Sequence, residues 1–259
     1  MAADPRWRNL ALGYGIAMYL LAVATVLYAV GFLANAVVPT GVDTGPRGAF
    51  GPSLVVDVGL IGLFALQHSL MARPGFKARW TRLVPEPAAR STYVLVASLA
   101  LWLLVWFWRP LPGVVWHVEG PLAWVLWLGY LGGWALMFAA VNMIDGFELL
   151  GLRPVLAYRA GRERGSPEFV TPLAYRYVRH PIMTGFLVAF WVTPRMTVGH
   201  LLFAAGMTGY LLVGVRLEER DLVATFGAQY RRYQRAVPAF VPRPGRSAGD
   251  VSIDNDGAD

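Results

Sequence analysis

Two short clusters in the chain combine residue types that can do chemistry together. The first is Tyr175-x-x-x-Arg179-His180-Pro181-x-x-x-Gly185, and the second is Glu218-Glu219, followed by Phe226-Gly227-x-x-Tyr230-x-x-Tyr233. Pro181 fits the first turn of a helix, since it lacks an N–H and fixes φ. Arg179 and His180 therefore sit where a basic loop enters an apolar helix. A guanidinium fork beside helix-terminal N–H groups suits a carboxylate or another anion. Glu218 and Glu219 close a second apolar segment and point about 100° apart on a helix. One can face solvent while the other turns inward to a cation or a hydroxyl. Two plainer arrangements use the same residues. Arg179 and His180 can anchor the helix to headgroups, and Glu219 can pair with Arg179 or Arg176.

The elements that must position these clusters are apolar. The chain is 56% hydrophobic and 15% charged, with a mean hydropathy of +0.46. Soluble domains carry about 25% charged residues. Runs from Leu10 to Val38, Leu54 to Met71, Ser91 to Trp108, Pro121 to Met143 and Val198 to Val215 reach the roughly 18–20 residues of a bilayer span. The first is too long for a signal-peptide core. Pro181 to Val192 is too short to span, and Gly129 and Gly133 form a step that allows close helix contact. The pattern continues the last span as helix through Glu218, Glu219 and Tyr230. The fold class expected is all-α and integral to the membrane, with about five full transmembrane helices and a short helix in a C-terminal hairpin. Residues 1–144 form a transmembrane bundle, 145–242 a C-terminal core and 243–259 a disordered acidic tail.

Charge sets the expected orientation. The net charge of +7 comes from Arg-rich segments at the N-terminus, at 72–90, at 145–179 and near the C-terminus. The loops at 39–52 and 109–120 are nearly neutral. This alternation places both termini, and both clusters, in the cytoplasm of a multi-pass protein; the membrane expected is a bacterial inner membrane. The excess of arginine marks loops, not nucleic-acid binding. No cysteine is present, which excludes disulfides, thiolate metal sites and a Cys nucleophile.

The two clusters together resemble the signature of the isoprenylcysteine carboxyl methyltransferase superfamily over about residues 171–241. More of the chain, from about Tyr14 to Pro242, resembles one branch, the methanethiol S-methyltransferases. The matching stretches are Gln67-His68-Ser69-Leu70-Met71-Ala72-Arg73-Pro74, Arg90-Ser91-Thr92-Tyr93-Val94, Phe147-x-x-x-Gly151-Leu152-Arg153 and Thr197-Val198-Gly199-His200-Leu201-Leu202-Phe203. The resemblance implies a C-terminal core that binds S-adenosyl-L-methionine (SAM) between the two motifs. It implies cofactor contacts from Tyr175, Tyr177, Arg179, His180, Pro181, Met183, Gly185, Glu218, Glu219, Tyr230 and Tyr233. Arg179 or His180 suits the SAM carboxylate, and Glu219 its ammonium or ribose hydroxyls. The tyrosine rings can stack on adenine or face the sulfonium. Two positions depart from the superfamily. Met183 stands where an aromatic residue is common, and Leu173 where glycine is common two residues before the motif tyrosine. Met183 still offers a soft thioether.

The reaction implied is methylation of methanethiol to dimethyl sulfide by in-line transfer. The acceptor is a small apolar thiol, and the partners are that thiol and the lipid bilayer. A thiolate is the nucleophile, so a base is needed. His68 is the first candidate, since imidazole titrates near neutrality. Asp145 and Glu148 follow, with Asp57 and Asn142 behind them. Three other readings stay open on sequence alone. The acceptor can be isoprenylcysteine, a lipid or another small thiol. The core can be that of a sterol-reductase-like NADPH enzyme. His68, His117, His180 and His200 can hold a haem in a non-catalytic protein.

Overall fold

Helix α1 runs Pro5–Ala34 and α2 Phe50–Ala72 in the computed structural model, which describes residues 5–162, 168–244 and 247. The sequence pattern carried the first span to Val38, but the backbone ends it earlier. Asn35 adopts φ 52° and Val37 φ 57°, left-handed values that no α-helix can continue through. Asn35 suits the stop, being one of the few residues that tolerate this region. Its side chain clasps the loop that follows: Nδ2 donates to Asp43 Oδ2 (3.0 Å), and Asp43 N–H donates to Asn35 Oδ1 (2.8 Å). At the other end of α2, Pro74 pushes Arg73 to an extended ψ of 142° and opens the short helix α3, Pro74–Trp80. Helix α4 spans Glu86–Phe107, with Glu86 in its first turn where the helix dipole favours a carboxylate.

A short ribbon follows that hydropathy gives no sign of. Strand β1, Val114–His117, pairs antiparallel with β2, Arg195–Thr197, in the register Val114↔Thr197, Trp116↔Met196 and His117↔Arg195. Between the strands lie α5 (Pro121–Ile144), α6 (Gly146–Leu149), α7 (Leu152–Ala160) and α8 (Pro181–Trp191). Helix α9 is the longest, Val198–Ala236. Helices α1, α2, α4, α5 and α9 are long and apolar enough to cross a membrane, and α8 is a shorter apolar helix. At 1.5 Å per residue, α8 covers about 16 Å and cannot span. The five full spans and the short helix are as the sequence predicts, and the chain is an integral membrane protein. Leu66, Trp124 and Leu128 are each about two-thirds exposed or more, as lipid-facing positions must be.

The chain divides into two compact units whose boundaries cut across chain order. The first holds residues up to 118, 145–166 and 195–207; the second holds 119–144, 167–194 and the chain from 208 on. In the first, α1 packs on α4 and α7, and α2 on α4. Two stretches far apart in sequence interlock there. Arg90 Nε donates to the Leu149 carbonyl and Ser91 Oγ to that of Gly151. A Cβ on Gly151 would lie 2.7 Å from Ser91 N, so the contact admits only glycine. In the second unit, α5 packs on α8 along small residues. A Cβ on Gly133 would lie 2.7 Å from Ala189 N, and one on Gly129 2.7 Å from a Val192 methyl. The acidic tail from residue 248 on lies outside the described residues.

Candidate functional site

The second unit builds the site from two ends of the chain. A single 3₁₀ turn, Leu173–Arg176, leads to Arg179 and His180 just ahead of α8. Leu173 adopts φ 40°, a left-handed value that costs any L-residue with a side chain. The resemblance leads one to expect glycine here, the residue that enters this region without penalty. Tyr175 is buried, and its hydroxyl donates to the Ala140 carbonyl at the end of α5 (3.3 Å). Burial pushes that hydroxyl well above the ordinary tyrosine range, so it stays protonated and remains a donor.

Glu219 is the hub. Its Oε1 accepts from Arg179 Nε at 2.7 Å and lies 3.0 Å from His180 Nε2. A carboxylate only accepts, so His180 carries its hydrogen on Nε2. Oε2 accepts from Gln234 Nε2 at 2.9 Å. The other ring nitrogen of His180, Nδ1, lies 3.8 Å from Glu218 Oε2. His180 is buried, Arg179 and Glu219 nearly so, and Glu218 is half exposed. The ion pair between Glu219 and Arg179, one of the two plainer arrangements open on sequence, is the one present.

Arg179 is committed further. Its Nη1 donates to the Gln234 carbonyl at 3.0 Å and also to that of Val237. Residues 237–240 then run as a strap beside the entry to α8. Arg179 N–H donates to the Pro238 carbonyl (2.9 Å) and His180 N–H to that of Ala239 (3.0 Å). Thr184 Oγ1 donates to the Phe240 carbonyl (2.9 Å). The guanidinium thus ties Glu219 to the end of the returning arm, while His180 lies between Glu219 and Glu218.

A reversal inside α9 makes this possible. On a straight helix, residues 219 and 234 would stand about 22 Å apart, yet their side chains meet at 2.9 Å. The break is at Gly227, with φ 55° and ψ −124°. Those angles match the first central residue of a type II′ turn, which only glycine adopts without strain. The sequence pattern carried helix straight through to Tyr230; the structure instead folds a second arm back on the first. Phe169, Leu222, Val223 and Phe226 pack on Tyr230, Tyr233 and Val237 inside the hairpin. Tyr230 and Tyr233 are buried, and the Tyr233 hydroxyl donates to the Tyr175 carbonyl. They hold the arm, while Tyr177, just over half exposed, presents its ring outward. Met183 is half-buried on α8. Gly185 lies against α5, where a Cβ would come 2.6 Å from the Gly133 carbonyl.

The catalytic candidates His68, Asp145 and Glu148 belong to the first unit. The His68 ring is held between Phe64 (5.4 Å between centroids) and Tyr93 (5.2 Å). Asp145 caps α6 by accepting from Glu148 N–H (3.1 Å) and pairs with Arg153, so its carboxylate is engaged in structure. Asn142, in the second unit, bonds back to the Phe138 carbonyl. Among the described residues no group of three or more His, Cys, Asp or Glu could hold a metal. Sequence reasoning missed Gln234 and the strap. The one signal was Gly227, a lone glycine in an otherwise helical polar stretch.

Fold and site together define a class: a multi-pass helical membrane protein with an ionic cluster where a short helix meets a folded-back C-terminal arm. The chain belongs to the NnrU protein family, whose model matches residues 58–243. It is 51% identical to methanethiol S-methyltransferase 1 of Bradyrhizobium diazoefficiens over 88% of this chain and 81% of that one. It is 50% identical to methanethiol S-methyltransferase of Mycobacterium tuberculosis over 92% of this chain and 98% of that protein. Nurim of Homo sapiens is 35% identical over 65% of this chain and 68% of its own length. No solved structure matches.

Proposed function

We propose that this protein is a SAM-dependent S-methyltransferase that converts methanethiol to dimethyl sulfide. The observation that carries the reading is the likeness to two proteins named methanethiol S-methyltransferase, at half identity over most of each chain. The cluster in the second unit supports it. SAM presents a carboxylate, an ammonium, ribose hydroxyls, adenine and a sulfonium. The buried imidazole of His180, the half-exposed carboxylate of Glu218 and the exposed ring of Tyr177 match those groups in charge and shape. Bound SAM supplies an electrophilic methyl group. The chain's part is to orient the donor and to provide a base for the thiol.

In this reading the cofactor core lies within residues 145–242, and Arg179 and Glu219 brace it. His68 takes the proton from methanethiol. Bound SAM would supply the methyl group in line to the thiolate sulfur, the S–CH3 bond forming as the sulfonium's bond to that carbon breaks. Dimethyl sulfide and S-adenosylhomocysteine leave, and His68 returns its proton to water. The protein sits in a bacterial inner membrane with both termini in the cytoplasm. The experiment is direct: purified protein with SAM and methanethiol, and dimethyl sulfide measured in the headspace. Sulfide above a heat-killed control is expected, and none refutes the reading. Isoprenylcysteine, other thiols and NADPH in the same format report on the other acceptors and on reductase chemistry.

A further inference from the structure

We infer that Gln234 is a positioning residue for the donor site, a role that rests on the methyltransferase reading above. Gln234 touches the cluster twice. Its side-chain Nε2 donates to Glu219 Oε2 (2.9 Å), and its backbone carbonyl accepts from Arg179 Nη1 (3.0 Å). It is the residue of the returning arm whose side chain reaches Glu219. With Gln234 in place, the two oxygens of Glu219 have fixed assignments: Oε1 to Arg179 and His180, Oε2 to Gln234. That leaves the His180 ring one orientation, with Nε2 on Glu219 and Nδ1 toward Glu218. Removing the amide frees Oε2 to compete for the His180 and Arg179 hydrogens, and the imidazole is no longer held in one pose. A side chain that fixes a partner's rotamer in this way acts on binding through geometry, as supporting groups around a functional site commonly do.

The substitutions Gln234→Ala and Gln234→Glu test this. Alanine deletes the donor but keeps the backbone link to Arg179. Glutamate keeps the shape and sets a second carboxylate against Glu219. Loss of one charge-assisted hydrogen bond corresponds to roughly tenfold or more in affinity. We expect S-adenosylhomocysteine to bind about tenfold more weakly to Gln234→Ala and more weakly still to Gln234→Glu, by titration calorimetry. The KM for methanethiol should stay within about twofold. With only four histidines in the chain, ¹⁵N-histidine labelling resolves the His180 ring nitrogens, and both substitutions should shift them. A merely structural role would lower the melting temperature of both variants while the folded protein kept wild-type affinity and unchanged His180 signals. That pattern overturns the assignment. If the wild type forms no dimethyl sulfide, the functional reading fails on its own. The His180 signals then decide the Gln234 question separately: a shift in both variants upholds the positioning, and no shift in either overturns it.

Discussion

Glu219 has two oxygens and three donors, and that count controls what the cluster can bind. A carboxylate so satisfied, opposite a guanidinium that also holds two carbonyls, is a brace within the protein. Deleting Arg179 therefore does two things. It removes a charge-assisted contact, a loss of about 1.5–3 kcal/mol, and it releases the strap at Val237. Arg179→Ala is expected to lower the melting temperature and to weaken S-adenosylhomocysteine binding together. Arg179→Lys should recover part of each, because an ammonium keeps the charge but not the fork that serves three acceptors. Full stability with lost binding would mean that Arg179 contacts the ligand directly. His68 is a different case, an imidazole set between two aromatic rings. As the thiol's base it should be worth about a hundredfold in turnover. His68→Ala is expected to lose that much while S-adenosylhomocysteine affinity holds within about twofold. Near-wild-type turnover would place the base elsewhere.

At the scale of elements, the controlling feature is the reversal at Gly227. Nothing crowds the position, since a Cβ there would have no neighbour within 4 Å. Any effect of Gly227→Ala is therefore backbone strain, of about 1–3 kcal/mol. Strain of that size can open the hairpin, and Gln234, Val237 and the strap would leave Glu219 and Arg179 together. Gly227→Ala is thus expected to impair S-adenosylhomocysteine binding as much as loss of an ionic residue does, and proteolysis near residue 227 should rise. An alanine variant with wild-type affinity and protease resistance would show that the arm tolerates the strained turn. The α5–α8 seam works by the opposite rule. Gly133 and Gly185 keep the helices close because the space is already filled by the partner's backbone.

At the scale of the whole molecule, the expected orientation rests on where the arginines lie. The absence of cysteine makes it easy to test. Leu83→Cys falls in the basic segment and Val115→Cys in the neutral one, and both positions are exposed. In intact cells a membrane-impermeant maleimide should label Val115→Cys at once and Leu83→Cys only after permeabilisation. The reverse pattern inverts the topology, and the cluster with it.

The spans, the short helix and the membrane class were legible in the chain because they depend on local quantities: run length, apolar content and where Pro and Gly fall. Arg179, His180 and Glu219 could be singled out because charged residues at the edge of an apolar run need a reason to be there. What they do could not be read the same way. The sequence left Glu219 two roles, to meet a ligand or to pair with arginine. The choice depended on a contact between residues 40 apart. Gln234 carries no local sign of importance, since its partner is brought to it by a turn at a single glycine. The β1–β2 ribbon was invisible for a related reason: strand pairing is a property of two segments about 80 residues apart, and at four and three residues neither is long enough to announce itself. Hydropathy decides which segments enter the bilayer. Only tertiary structure decides which polar groups satisfy one another, because a hydrogen bond depends on distance and angle, not on composition.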